Sequence, residues 1–304
     1  MPMPAFSPQT RLLVVAPHPD DETLAAGLLI QQVLAAGGAV RVLLLTDGDD
    51  NPWPQRWLER RWRIRAGDRQ RWGLRRRGEA VRALARLGVR VDALEAMGWP
   101  DMGLTGLLRE RAPEALASLG AAIGAFAPGL LLLPALDDRH PDHGAAHVLC
   151  RLALAGRAAM PELLAYPVHA PRAASPGGDG AGGAPQQRRK LAALAEHASQ
   201  TALSGGRLRR LAMRPERHEP VDAAPAAGDG RLPWRPPVLL HPFLRLLVAE
   251  AGGVRDLAWR AAPLRRDAGG YRLELPPADG PRFAKLYLDA RSPWIFDHWG
   301  WCRL

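Results

Sequence analysis

Two hydrophobic patterns alternate along the first half of the chain. Leu12 to Ala16 is an unbroken apolar run, the pattern of a strand covered on both faces. The spacing then predicts a helix over 24–36, closed by Gly37-Gly38. The segment "AVRVLLLTDGDD" reads as a second buried strand running into polar residues at Asp47 to Asp50. Strand, helix and strand within about 40 residues make a βαβ unit and hence a parallel sheet. The theme repeats: "RRRGEAVRALARLGVRVDAL" is a helix ending at Gly88 with a short strand after it. "PEALASLGAAIGAFAPGLLLLPAL" is a helix followed by the strand Leu130 to Pro134, "HPDHGAAHVLCRLALAG" opens another helix, and "ELLAYPVH" is a fifth strand. The expected fold class is α/β: a Rossmann-like open, mostly parallel sheet with helices on both faces.

After Ala170 the pattern changes. Residues 170–185 are rich in Gly, Ala and Pro and read as loop or disorder inside a flexible insertion over 170–189. Lys190 to Leu203 returns to helix, and Glu219 to Pro237 reads as a linker. From 238 to 304 the chain reads as a small, partly β C-terminal appendage. In it "YRLEL" and "RFAKLYLDA", separated by "PPADGP", suggest a hairpin. The main domain then spans 1–218.

A chain of 304 residues can bury a substantial core. Its two cysteines, Cys150 and Cys302, make neither a disulfide framework nor a CxxC pair. The first apolar run is short and flows straight into polar residues, so neither a signal peptide nor a transmembrane helix is expected, and the expected compartment is cytoplasmic. The net charge of +10 comes nearly all from arginine. Such a surface attracts nucleic acid, anionic lipid or acidic substrates, although arginine richness also follows from codon bias.

The chemistry concentrates at two turns. His18, Asp20, Asp21 and Glu22 lie where the first strand meets its helix; Asp137, Asp138, His140, Asp142, His143 and His147 follow the strand at Leu130 to Pro134. In open parallel sheets ligands bind beyond the carboxyl ends of the strands, where both clusters fall. Imidazole and carboxylate suit zinc, and a catalytic site keeps a position open for water. Against this, acidic residues at a helix start are often plain caps, which is the simpler reading of Asp20 and Asp21 taken alone. Glu22 is expected as a dipole partner or supporting hydrogen bonder, His147 and His197 as structural residues, and Asp137 and Asp138 as loop residues. His169, His218, His241 and His298 have no partner that the sequence names.

"APHPDDE" followed by "HPDH" resembles the PIG-L/LmbE-like family of zinc-dependent N-acetylglucosaminyl deacetylases. "LLLTDGD", "GWPDMGL" and "KLAALAEHASQ" are similar to secondary motifs of that family, and the resemblance covers roughly residues 10 to 205. It implies His18, Asp21 and His143 as ligands of a Zn²⁺ or another divalent ion. It implies Asp20 as general base, His140 as the group that stabilises the oxyanion, in protonated form, and Asp142 as the residue that orients or tunes His140. Asp101 matches a position implied to contact the sugar, and Asp47 is expected to support the site or contact substrate. The activity implied is removal of an acetyl group from an N-acetylglucosamine-type sugar in a glycoconjugate or a small-thiol or glycolipid precursor.

Ten arginines and four tryptophans lie between Trp53 and Arg77. An amphipathic helix pair with buried tryptophans accounts for this pattern. Two functional readings compete with it: contact with sugars or phosphate groups, with Arg76 as a candidate substrate contact, and peripheral contact with an anionic membrane or a lipid-linked sugar. No named nucleic-acid motif accompanies the segment, so no nucleic-acid partner is expected. The rival to the enzyme is a non-catalytic binder of nucleic acid or anionic glycans on the same fold. A nucleotide-binding enzyme is disfavoured because the first strand-helix turn lacks GxGxxG and GxxxxGK[ST] occurs nowhere in the chain.

Overall fold

The structure, a computed structural model, describes residues 5–169, 183–222, 229–276, 280–289 and 296–304. Its centre is a six-stranded sheet built from β1 (Arg11–Ala16), β2 (Ala39–Thr46), β3 (Leu94–Trp99), β4 (Leu130–Pro134), β5 (Glu162–Tyr166) and β6 (Glu219–Pro220). The strand order is β3-β2-β1-β4-β5-β6. All pairings are parallel except that of β5 with β6.

The helices are α1 (Asp21–Ala35), α2 (Pro52–Glu59), α3 (Ala66–Leu87), α4 (Leu104–Phe126), α5 (Pro141–Leu154), α6 (Ala184–Glu196) and α7 (Ala198–Ala212). They cover both faces, which explains the unbroken apolar strands. Along β1, Leu13 and Val15 point into the core shared with α4 and α5, while Leu12, Val14 and Ala16 point into the one shared with α1 and α3. On β4, Leu131 and Leu133 alternate in the same way with Leu130 and Leu132. The strand order reverses direction between β1 and β4, so the crevice beyond their carboxyl ends is the place where such sheets bind ligands.

The rest of the chain is antiparallel. Strands β7 (Arg231–Leu232), β8 (Leu244–Glu250), β9 (Gly253–Ala258), β10 (Leu264–Asp267), β11 (Gly270–Leu273), β12 (Arg282–Leu288) and β13 (Trp301–Arg303) form two sheets, ordered β10-β11-β7 and β13-β12-β8-β9. The expected hairpin of "YRLEL" with "RFAKLYLDA" is corrected: β11 pairs with β10 and β7, and β12 pairs with β8 and β13. Alternation marks both segments as strands, but each finds its partner through tertiary packing. Leu247, Ala249, Phe283 and Trp301 enter the same hydrophobic cluster as Leu107, Leu149 and Leu152 of α4 and α5. The stretch expected as a linker supplies β6 at its start and β7 within its second half.

Most of the expected insertion lies outside the described residues, but Ala184 and Pro185 already start α6. The single helix expected over 190–203 is two helices that meet at His197. Among the described residues no helix is long and apolar enough to cross a membrane.

Candidate active site

The turn after β1 is strained where the chemistry is densest. Asp20, the N-cap of α1, sits at φ 119°, a left-handed conformation that costs a non-glycine residue of order 1–3 kcal/mol. Local hydrogen bonds hold it there. Its N–H donates to Glu22 Oε2 at 2.9 Å, and its carbonyl accepts from Thr23 and Leu24 at 3.1 and 2.9 Å. Glu22 in turn bonds the buried His197 ring through Oε1 at 3.0 Å. Both residues therefore support the turn, as expected, and the break between α6 and α7 places His197 to do so.

The turn after β4 begins α5 with His140 as N-cap and Pro141 in the first turn, where a missing N–H costs nothing. The two turns meet. Asp21 Oδ2 lies 3.3 Å from His18 Nδ1 and 3.2 Å from His143 Nε2, and it also accepts the His18 N–H at 3.0 Å. The ring centroids of His18 and His143 are 5.5 Å apart, and His140 sits 4.5 and 5.2 Å from them. Donor atoms of His18, His140 and His143 lie within 4.8 Å of one another, as do those of Asp21, His143 and His169. Asp21 thus touches both His18 and His143, the residues expected with it to be ligands, while the sets whose donor atoms all lie that close draw in His140, His169 or the Asp101–Asp142 pair.

The donor set fits a divalent cation. His143 is fully buried, and neither ring nitrogen makes an aligned hydrogen bond, although carboxylates stand 3.2 and 3.3 Å away. Buried polar atoms left in that state usually have an ion or water as partner. Burial works against a charged His143, but Asp21 and Asp138 outweigh it and lift its pKa to about 10. Burial likewise opposes charge on His18, yet Asp101, Asp142 and Asp21 hold it well above the ordinary imidazole value. Asp21 is driven low against its burial by His143 and His18.

Asp20 lies beside this group with a different balance. Burial and the neighbouring Asp21 raise it to about 6, with Arg76 and His197 pulling the other way. His140 is pushed well below 6.5 by burial and by the charges of His18, His143 and His169, a shift that favours the neutral ring over the expected protonated one. Its Nδ1 accepts the Asp142 backbone N–H at 3.3 Å, which leaves the ring proton on Nε2.

Asp142 is placed otherwise than expected. Its carboxylate does not bond the His140 ring. It accepts from the backbone N–H groups of Met102 at 2.7 Å and Leu104 at 3.1 Å, and stands 3.3 Å from His18 Nε2. The unpaired N–H groups at the start of α4 draw the carboxylate there. Asp101 is inside the site, with Oδ1 3.2 Å from His18 Nε2 and Oδ2 accepting the Asp50 N–H at 2.6 Å.

Two other expectations change. Arg76 is buried: its guanidinium donates to the carbonyls of Gly48 and of Pro19, the latter at 2.7 Å, and stands 3.8 Å from Asp20 Oδ2. It ties the two loops together and is not exposed to a substrate. Asp47 has both oxygens engaged by Arg77, at 2.9 and 2.6 Å. His147 bonds the Pro134 carbonyl at 2.8 Å and takes no part in the cluster.

Sequence reasoning missed Asp138, His169 and Phe296. Asp138 is buried, accepts the His140, Val168 and His169 N–H groups, and stands 3.3 Å from His143 Nδ1. His169 lies 5.1 Å from the His143 ring, and Phe296 lies 6.4 Å from His140 and 5.5 Å from His169. His169 follows β5 at the same sheet edge as the two motifs, a positional signal that was present in the sequence. Phe296 carries no such signal.

Residues 13–154 match the family described as GlcNAc-PI de-N-acetylase, PIG-L. The matched stretch is a little under half of the chain. It carries both turns of the site, while His169 and Phe296 lie outside the PIG-L match. Two curated relatives are 1D-myo-inositol 2-acetamido-2-deoxy-alpha-D-glucopyranoside deacetylases. That of Mycolicibacterium vanbaalenii is 34% identical over 162 residues, 48% of this chain and 54% of its own. That of Mycolicibacterium gilvum is 37% identical over 157 residues, 47% and 54%. The chain thus spans about half the length of the curated relatives it matches. Among solved structures, N,N'-diacetylchitobiose deacetylase from Pyrococcus horikoshii aligns over 83% of this chain and 85% of its own, at TM-score 0.51 and 17% identity. The 4-carboxy-2-hydroxymuconate hydratase of Pseudomonas putida aligns over 68% and 84%, at 0.52 and 21%. These likenesses establish the fold, and a hydratase among them shows that the fold alone does not choose the reaction.

Proposed function

We propose that the chain is a metal-dependent N-deacetylase that removes the acetyl group from an N-acetylglucosamine-type sugar. The observation that carries this reading is the shared position of Asp21 Oδ2 between the His18 and His143 rings, with Asp20 beside it and outside that contact. His18, Asp21 and His143 are the residues that would hold a zinc ion or another divalent cation. When bound, such an ion polarises an amide carbonyl and makes a neighbouring water more acidic.

The chain's own residues supply the proton traffic. Asp20, at about 6, is a carboxylate at neutral pH and basic enough to take a proton from the attacking water. The water oxygen adds to the acetyl carbonyl carbon as Asp20 accepts the proton. The Nε2–H of neutral His140 donates to the oxygen that gains charge, a contribution typically worth about 10²–10³ in rate. The C–N bond then breaks, Asp20 returns the proton to the amine, and acetate leaves. Arg76 keeps the loop carrying Asp20 in place, and Asp138 orients His143 from its far side.

The sugar class rests on the PIG-L match and on the names of the curated relatives. The test is to incubate metal-loaded protein with a panel of N-acetylated amino sugars and glycosides and to measure acetate and free amine together. Equal release of both, lost in Asp20→Asn, supports the reading. Release of neither across the panel, with metal bound, contradicts it.

A further inference from the structure

The tryptophans after β2 are not buried as an amphipathic helix pair requires. Trp53, Trp57 and Trp62 are 61%, 68% and 80% exposed, and only Trp72 of this segment is in the core. Trp53 and Trp57 are one turn apart on α2, so they share a face. The surrounding charge is one-sided. Among the described residues Arg56, Arg60, Arg63 and Arg65 make no ion pair with a carboxylate. Beside them an open recess of ≈ 570 Å³ is lined by Arg61, Arg63, Arg65, Gly67, Asp68 and Arg71.

Three neighbouring indoles left in water, rimmed by unpaired guanidinium groups, are costly unless something covers them. We propose that this face docks on an anionic lipid bilayer, with the indoles at the level of the headgroups and the arginines on lipid phosphates. Indole rings partition to that depth, and arginine side chains beside them reach acidic headgroups. Single-stranded nucleic acid also pairs aromatic and basic groups, but it needs free ring faces for base stacking. Here the Arg56 guanidinium covers one face of Trp53 at 5.0 Å and one face of Trp62 at 5.8 Å. That leaves bases a single face on each of these two rings, a restriction that insertion into lipid does not share.

The docked face borders the proposed catalytic site. α2 starts directly after the loop in which Asp50 donates to Asp101 at 2.6 Å, and Asp101 stands 3.2 Å from His18. Docking would hold the mouth of the site at the bilayer surface, within reach of an amino sugar anchored there. That consequence rests on the deacetylase reading; the docking itself does not.

The test is flotation of the full-length protein with phosphatidylcholine vesicles and with vesicles containing about one-third phosphatidylglycerol. The protein should float with the anionic vesicles, not the neutral ones, and less so as salt is raised. Binding should fall by about tenfold or more in Trp53→Ser/Trp57→Ser/Trp62→Ser and separately in Arg60→Gln/Arg63→Gln. Acetate release from a soluble sugar, read in parallel, reports on the catalytic reading independently. The proposal is overturned by absence of binding to anionic vesicles, or by undiminished binding of both variants. Tighter binding to a mixed-sequence single-stranded oligonucleotide, lost in the same variants, also overturns it.

Discussion

Asp21 Oδ2 stands 3.2 Å from His143 Nε2, although one residue starts the helix after β1 and the other lies in the first turn after β4. Metal-free, that contact is an ion pair, since His143 titrates at about 10. A cation must displace the proton, so metal uptake should release protons at neutral pH and strengthen as pH rises, by about tenfold per pH unit for each proton displaced. Calorimetry in buffers of different ionisation enthalpy checks this. Proton-free binding would mean that the cation sits elsewhere.

Asp20→Asn should keep the metal and lose about 10²–10⁴ in kcat, the usual worth of a general base. The wild-type rate should fall as pH drops below about 6, where Asp20 becomes protonated. A variant with near wild-type kcat and an unshifted acid limb would assign the base to another residue.

The metal-free protein should lose stability on the alkaline side. His143 has a folded pKa raised from 6.5 to about 10. Its contribution is therefore full below about 6.5 and disappears as pH climbs toward 10. Thermal melts of chelator-treated protein from pH 6 to 10 should show a falling midpoint that bound metal flattens. A flat metal-free profile would contradict the assigned proton.

Arg76→Lys should act through position and not through substrate binding. A lysine cannot reach the Gly48 and Pro19 carbonyls with one rigid fork, and a buried carbonyl left unpaired costs about 1–3 kcal/mol. The melting point and kcat should fall with KM nearly unchanged. A rise in KM alone would restore Arg76 as a substrate contact.

The strands of the main sheet were the most legible part of the chain. β4 reads at its true ends because a five-residue apolar run bounded by Gly129 and Pro134 is too short for a helix and suits a strand covered on both faces. The cluster was legible because both motifs terminate strands at one sheet edge. What escaped depends on contacts between distant segments. The β11 and β12 segments look like partners, yet each pairs elsewhere. Arg76 looks like a free cation in the sequence, but two loop carbonyls bury it. His169 and Phe296 join the imidazole cluster from outside the motifs, the latter from the C-terminal segment, and no local pattern announces that.

The most direct test of the account is anomalous diffraction from zinc-soaked crystals of the full chain. The prediction is one peak about 2.0–2.2 Å from His18, Asp21 and His143. A peak on other residues, or none while zinc remains in the solution around the crystal, would contradict the site described here.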